Sequence, residues 1–168
     1  MLEIYTAGFL DADGSVSLMR DSKHQPEYIR GPCVEFFNCD EAILKAIQEK
    51  WGGSIKARAQ KNQKHNVSYE LRLIGNNAYN LLKDVAPYMR HQKKGHRARL
   101  IVDHYKECTP RNGKYTNEQI EMKIWLVDQV MGTIMRGPGA YSAFDGADTG
   151  IDRRVKGRRS QWVRHASG

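Results

Sequence analysis

Near the start of the chain, Thr6-Ala7-Gly8-Phe9-Leu10-Asp11-Ala12-Asp13-Gly14 constrains the fold more than any other stretch. Leu2, Tyr5 and Phe9 recur at i, i+3 and i+7, and Ile4, Gly8 and Ala12 at i, i+4 and i+8, so the spacing predicts a helix with two distinct faces. Small residues one turn apart let a second helix backbone come close, and the Gly8/Ala12 face therefore reads as a helix–helix seam. Gly14 suits the left-handed position that ends a helix. Asp11 and Asp13 fall where the helix dipole already places partial negative charge, so something must offset them. A divalent cation would, because Mg²⁺ prefers carboxylate, carbonyl and water oxygens. The plainer alternative makes Asp11 an acceptor for neighbouring backbone and Asp13 a solvated turn residue. A calcium loop of the EF-hand type is excluded: counted from Asp11, the twelfth position is Ser22, where a bidentate Glu is required, and the central Gly is missing.

The nine residues resemble the LAGLIDADG motif of homing endonucleases, departing from it at Thr6, Phe9 and Leu10. The resemblance implies that motif helices of two subunits pack together, which here places Tyr5, Gly8, Phe9 and Ala12 at a dimer interface. It implies that Asp13 holds the catalytic metal ions, with the carbonyl of Ala12 as a further ligand, and that Mg²⁺ is the cofactor, two or more ions per dimer. It also implies a polar residue closing the second strand, matched by Asn38, and a Lys soon after a helix that ends in Pro. The matched position for that Lys is Gln92, followed by Lys93 and Lys94, so either the lysine has moved or Gln92 serves with a different solvent network.

Charge agrees with a polyanionic partner. The 168 residues carry 27 Lys and Arg against 19 Asp and Glu, a formal net charge of +8. No apolar run approaches the roughly 20 residues of a transmembrane helix, which leaves nucleic acid rather than membrane as the expected partner. Cys33, Cys39 and Cys108 show no Cys-x-x-Cys spacing, so neither a disulfide framework nor a zinc site is indicated. Glu3 stands where a secretory leader would be basic, and an intracellular protein without targeting signal is expected.

Along the chain, Ser15 to Arg20 alternates polar and apolar as a half-buried strand does, Asp21 to Pro26 turns, and Tyr28 to Asn38 predicts a second strand with Val34 and Phe36 on one face. Asp40 caps a helix whose stripe is Ile43, Leu44, Ile47 and Trp51, ended by Gly52-Gly53. Strands through Ile55, Ala57 and Ala59 and through Tyr69, Leu71 and Leu73 follow, then a helix from Asn76 or Asn77 to Val85 and another from about Gly95 to Cys108. This α-β-β-α-β-β-α order is that of the LAGLIDADG fold, an α+β class with an antiparallel DNA-binding sheet. The resemblance covers a core domain at residues 1–108. Residues 109–168 form a C-terminal extension: a helix from Thr116 or Asn117 with Ile120, Ile124, Val127 and Met131 on one side, a loop, and a basic tail containing Arg153, Arg154, Lys156, Arg158, Arg159, Trp162 and Arg164.

The polar sheet face and its loops supply the expected DNA contacts: Ser17, Arg20, Lys23, Arg30, Glu35, Lys56, Arg58, Gln60, Lys64, Ser68, Glu70 and Arg72. The function expected is a site-specific homing endonuclease, intron-encoded or free-standing. It would act as a homodimer that hydrolyses both strands of a long, roughly palindromic double-stranded DNA site. The alternatives are a maturase that binds intron RNA and a non-cleaving DNA-binding regulator on the same scaffold.

Overall fold

The structure, a computed structural model, describes residues 1–20, 22, 23, 25–58 and 67–135. Gln60 and Lys64, the loop around them, and the basic tail lie outside the described residues. Helix α1 (Leu2–Asp13) runs into strand β1 (Ser15–Met19), which pairs antiparallel with β2 (Gly31–Asn38). Asp40 caps α2 (Glu41–Trp51) through a 2.9 Å bond from the Ala42 N–H, and Gly52 and Gly53, at φ +78° and +103°, end it as only glycine does without strain. Strands β3 (Ser54–Ala57) and β4 (Tyr69–Ile74) lead to α3 (Gly75–Val85), a 3-10 turn at Ala86–Tyr88, α4 (Gln92–His104) and α5 (Asn117–Met135).

The sheet is fully antiparallel in the order β1-β2-β4-β3. Its register sets the two faces. Val16, Val34 and Leu73 stand in one cross-strand row, and Phe36, Leu71 and Ile55 in another. These side chains meet Ala7 and Leu10 of α1, Leu44 and Ile47 of α2, Leu81, Leu82 and Val85 of α3, and Ala98 and Ile101 of α4 in a single core. Trp51 donates its indole N–H to Asp84 at 2.9 Å, tying α2 to α3, and Lys50 pairs with Glu3, tying α2 to α1. Fully antiparallel pairing with helices on one face leaves the other face to polar side chains.

Three local expectations change. Helix α4 begins at Gln92 and ends at His104, about a turn earlier at each end than the expected Gly95 to Cys108, because His91 caps it. Gly14 is extended, at φ −92° and ψ 173°, not left-handed. It is required by space: a Cβ there would collide with the Leu10 side chain and lie 3.1 Å from the Glu35 carbonyl oxygen. In α5 the buried positions are Lys123, Leu126 and Val130, whereas Ile120, Ile124, Val127 and Met131 are only half-buried. Thr116 caps this helix by a reciprocal pair, its Oγ1 accepting from the Gln119 N–H and its own N–H donating to Gln119 Oε1. The helix packs on α4 and β1, within one compact unit that spans Met1–Met135. No helix of the described residues is long and apolar enough to cross a membrane.

Candidate functional site

The C-terminal end of α1 is held by groups far along the chain. Asp11 Oδ2 accepts from the backbone N–H groups of Arg90 and His91 at 2.6 and 3.1 Å, pinning the helix end to the segment that enters α4. His91 caps α4, its Nδ1 accepting from the Lys94 N–H at 3.4 Å. One turn in, the Lys94 ammonium donates to the carbonyls of Leu10, Asp11 and Ala12 at 3.0, 2.8 and 3.2 Å. Burial lowers the Lys94 pKa, against the opposing pull of Asp11 and Asp13. The charge that the end of α1 demanded is thus supplied by this chain's own lysine.

Asp13, by contrast, is exposed, as is Ala12 before it. A free carboxylate beside a backbone carbonyl is a hard, oxygen-only donor pair, and its chemistry fits Mg²⁺. Of the three residues considered for the lysine position, the structure brings Lys94 to the motif, whereas Gln92 opens α4 exposed and Lys93 is half-buried. Among the described residues, no three His, Cys, Asp or Glu side chains gather into a metal site.

Asn38 ends β2, and its Oδ1 accepts from the Asp40 N–H at 2.9 Å. The β2 residue facing the end of α1 is Glu35, whose partner across the ladder is Ser15 and whose Oε2 accepts from Ser15 Oγ at 3.1 Å. Asn38 stands three residues, about 10 Å of strand, further on.

Away from the helices, the sheet presents rows that follow from the register. Ser15, Glu35, Arg72 and Ser54 form one row; Phe37, Glu70 and Lys56 form the next. Arg58, bonded through its N–H to the Ser68 carbonyl, continues the series. Arg72 Nη2 bridges Glu35 and Glu70 at 2.7 and 3.0 Å, and Arg58 lies 3.9 Å from Glu70 and over the Phe37 ring. The arginines are therefore oriented by carboxylates before any ligand arrives. Ser17 lies on the same face, opposite Cys33, whose thiol burial and the nearby Glu35 push up to about 11. Arg20 is half-buried, Lys23 is exposed in the β1–β2 connection, and Arg30 is tethered there to the carbonyls of Glu27 and Leu18.

Along α1, Ile4 is 57% and Tyr5 53% exposed, and Gly8 and Ala12 continue the exposed stripe. Apart from its chain neighbours and its own helix backbone, no described residue lies within 4 Å of where a Gly8 Cβ would stand. Phe9, the fourth residue assigned to the seam, is half-buried, its ring 5.2 Å from that of Phe36.

Sequence reasoning passed over Arg97, which is buried on α4 and donates to the Val16 carbonyl at 3.2 Å, fixing β1 just beyond the motif. It passed over Lys123 as well. That residue is fully buried, with its Nζ 4.0 Å from the Tyr105 ring centre and hydrogen-bonded to Thr109 Oγ1. The available signal was spacing: Lys123 precedes Leu126 and Val130 by three and seven residues, on one helical stripe.

No protein-family model matches the chain, and no curated protein matches it. Solved structures do. The homing endonuclease I-CvuI, in complex with its target in the presence of Ca, matches with a TM-score of 0.59 and 20% identity over 95% of this chain and 92% of its own. The archaeal intron-encoded homing endonuclease I-Vdi141I, complexed with DNA, matches with a TM-score of 0.57 and 18% identity over 96% of both chains. The I-SmaMI LAGLIDADG homing endonuclease, bound to cleaved DNA, matches with a TM-score of 0.57 and 14% identity over 95% of this chain but 48% of its own. What these proteins share with the chain at such identities is a fold.

Proposed function

We propose that this chain, whose fold is that of the LAGLIDADG homing endonucleases, is a homodimeric, Mg²⁺-dependent endonuclease that cuts both strands of a long, roughly palindromic DNA site. The observation that carries the reading is the end of α1. There an exposed carboxylate, Asp13, stands at the foot of an exposed helix face of Ile4, Tyr5, Gly8 and Ala12 that no other described residue covers. Two copies packed along that face bring two Asp13 side chains to a shared axis, with a sheet on either side. The 48% coverage of I-SmaMI, against more than 90% of I-CvuI and I-Vdi141I, supports a chain that supplies one half of a larger assembly.

In this mechanism Asp11 fixes the helix end through Arg90 and His91, and Lys94 fixes the carbonyl of Ala12. Asp13 and the Ala12 carbonyl would hold the metal. When bound there, Mg²⁺ would supply charge neutralisation at the scissile phosphates and acidify water at neutral pH. Of Gln92, Lys93 and Lys94, we assign to Lys94 the place nearest the attacking water, because its ammonium already lies 3.2 Å from the Ala12 oxygen. The rows on the open sheet face then meet the major groove, Arg58, Lys56 and Arg72 among them, with Arg30 and Lys23 toward phosphates.

The test is cleavage of a plasmid library with randomised inserts, using Mg²⁺, EDTA, and the Asp13→Asn protein. Double-strand cutting at one recovered sequence, lost in EDTA and at least a hundredfold slower in a variant that still folds and binds that sequence, is the expected result. An uncut library with tight DNA binding would replace the nuclease with a DNA-binding regulator. Preference for structured intron RNA would favour a maturase.

A further inference from the structure

At the end of the sheet face away from the motif, the chemistry changes. Ile74, the last residue of β4, pairs with Cys33 and stands on the same face as Arg72 and Glu70, yet it is 52% exposed. It borders a recess of about 270 Å³ at the end of the sheet, lined by Met19, Ile29, Arg30 and Gly31 and, from the end of α4 and just beyond it, by Tyr105 and Thr109. Met19 and Gly31 are partners at the last rung of the β1–β2 ladder, so the recess lies at the end of the sheet, beside the face that carries Ile74. Arg30 stays in place beside it through its bonds to Glu27 and Leu18. An apolar side chain half in water, flanked by a fixed guanidinium on the face that carries Arg72, Glu70 and Lys56, is complementary to a surface that is anionic outside and locally apolar within.

We infer that Ile74 and the recess beside it select a thymine, by receiving its C5-methyl group, at one position in each half of the DNA site. The inference rests on the proposed binding of DNA to this sheet face. The thymine methyl is the apolar group among the base edges of the major groove; every other edge there presents donors or acceptors. Placing a purine edge against Ile74 would strip it of water without a partner, and cytosine, with only a hydrogen at C5, leaves the contact unmade, so thymine is favoured over all three. Arg30, at the recess, supplies the neighbouring phosphate contact and fixes the depth of approach.

The experiment begins with selection of duplexes from a randomised pool by the wild-type protein in EDTA, so that nothing is cut. Each thymine of the recovered duplex is then replaced by deoxyuridine, which removes the methyl group and nothing else. Wild-type affinity should fall roughly fourfold per methyl at one thymine in each half-site. The Ile74→Ala protein, checked for an unchanged melting temperature, should bind the parent duplex more weakly by a similar factor and be indifferent to that replacement. If no replacement weakens binding by as much as twofold, or if Ile74→Ala keeps the full sensitivity, the assignment is wrong while DNA binding stands. A pool that enriches no duplex overturns both, the DNA reading first.

Discussion

Lys94 shows how one ammonium group can decide the state of a helix end. Its bonds to the carbonyls of Asp11 and Ala12 satisfy acceptors in the last turn of α1, a third reaches the Leu10 carbonyl that also accepts from the Gly14 N–H, and its charge opposes the dipole and the two aspartates. Lys94→Met should therefore cost about 1–2 kcal/mol of stability in EDTA. Urea titration of the two proteins checks it; equal midpoints would mean the bonds contribute nothing net. Lys123 behaves in the opposite way. Burial lowers its pKa from 10.5 to about 8. Below pH 8 the group is protonated folded and unfolded, and the cost of burying the charge is present in full. Between pH 8 and 10.5 the unfolded chain binds more protons, so this residue's contribution to stability rises with pH. The buried thiols oppose that rise in the same window, Cys33 being pushed up to about 11, so the comparison must be between proteins. Lys123→Met should be the more stable protein at pH 7, and its advantage should shrink by up to about 3 kcal/mol by pH 10.5. An advantage that is constant with pH would show that desolvation of Lys123 is not its source.

At the scale of elements, the junction of α1 with β1 depends on a glycine for want of space. Gly14→Ala puts a methyl group onto Leu10 and within 3.1 Å of the Glu35 carbonyl oxygen, and should destabilise by about 1–3 kcal/mol, read as a lower melting temperature. A left-handed cap would have predicted a penalty from φ instead, and only the backbone at φ −92° separates the two causes. This marks the limit of what was legible. Periodicity gave the strands, the hairpin, the open polar face and the α-helices apart from the first turn of α4, because alternation along β1, β2 and β4 and stripes along α2 and α3 are local properties. The motif singled out Asp13 and the α1 face on which the proposed function rests. What it could not give were contacts between residues some eighty positions apart: Asp11 with Arg90 and His91, or Lys94 with Ala12. The same holds for Glu35, which faces Ser15 only once the hairpin register is known. In α5 the pattern misled, since a lysine occupies the innermost stripe and the isoleucines flank it.

For the whole molecule, the decisive question is whether two copies meet along α1. Gly8 offers a clean separation of folding from assembly, because its Cβ position is empty in one copy and would be crowded in two. Within the monomer, Gly8→Glu replaces the weaker helix former by a stronger one, so its folding stability should stay level or rise by about 0.5 kcal/mol. In the dimer, the same change drives two carboxylates into a close helix crossing near the Asp13 pair, where like charges repel and neither is solvated. Sedimentation should therefore report a mass near twice 19.2 kDa for the wild-type chain and near 19.2 kDa for the variant, which still unfolds cooperatively, at a midpoint that no longer depends on protein concentration. Cleavage should be lost with the dimer, since neither copy alone places a second carboxylate at the axis. The salt dependence of DNA binding should fall with it, because each phosphate neutralised adds about 0.9 to the slope of log affinity against log salt, and a monomer covers half the site. A Gly8→Glu protein that still sediments as a dimer would move the interface off this helix, and with it the shared axis on which the catalytic reading of Asp13 depends.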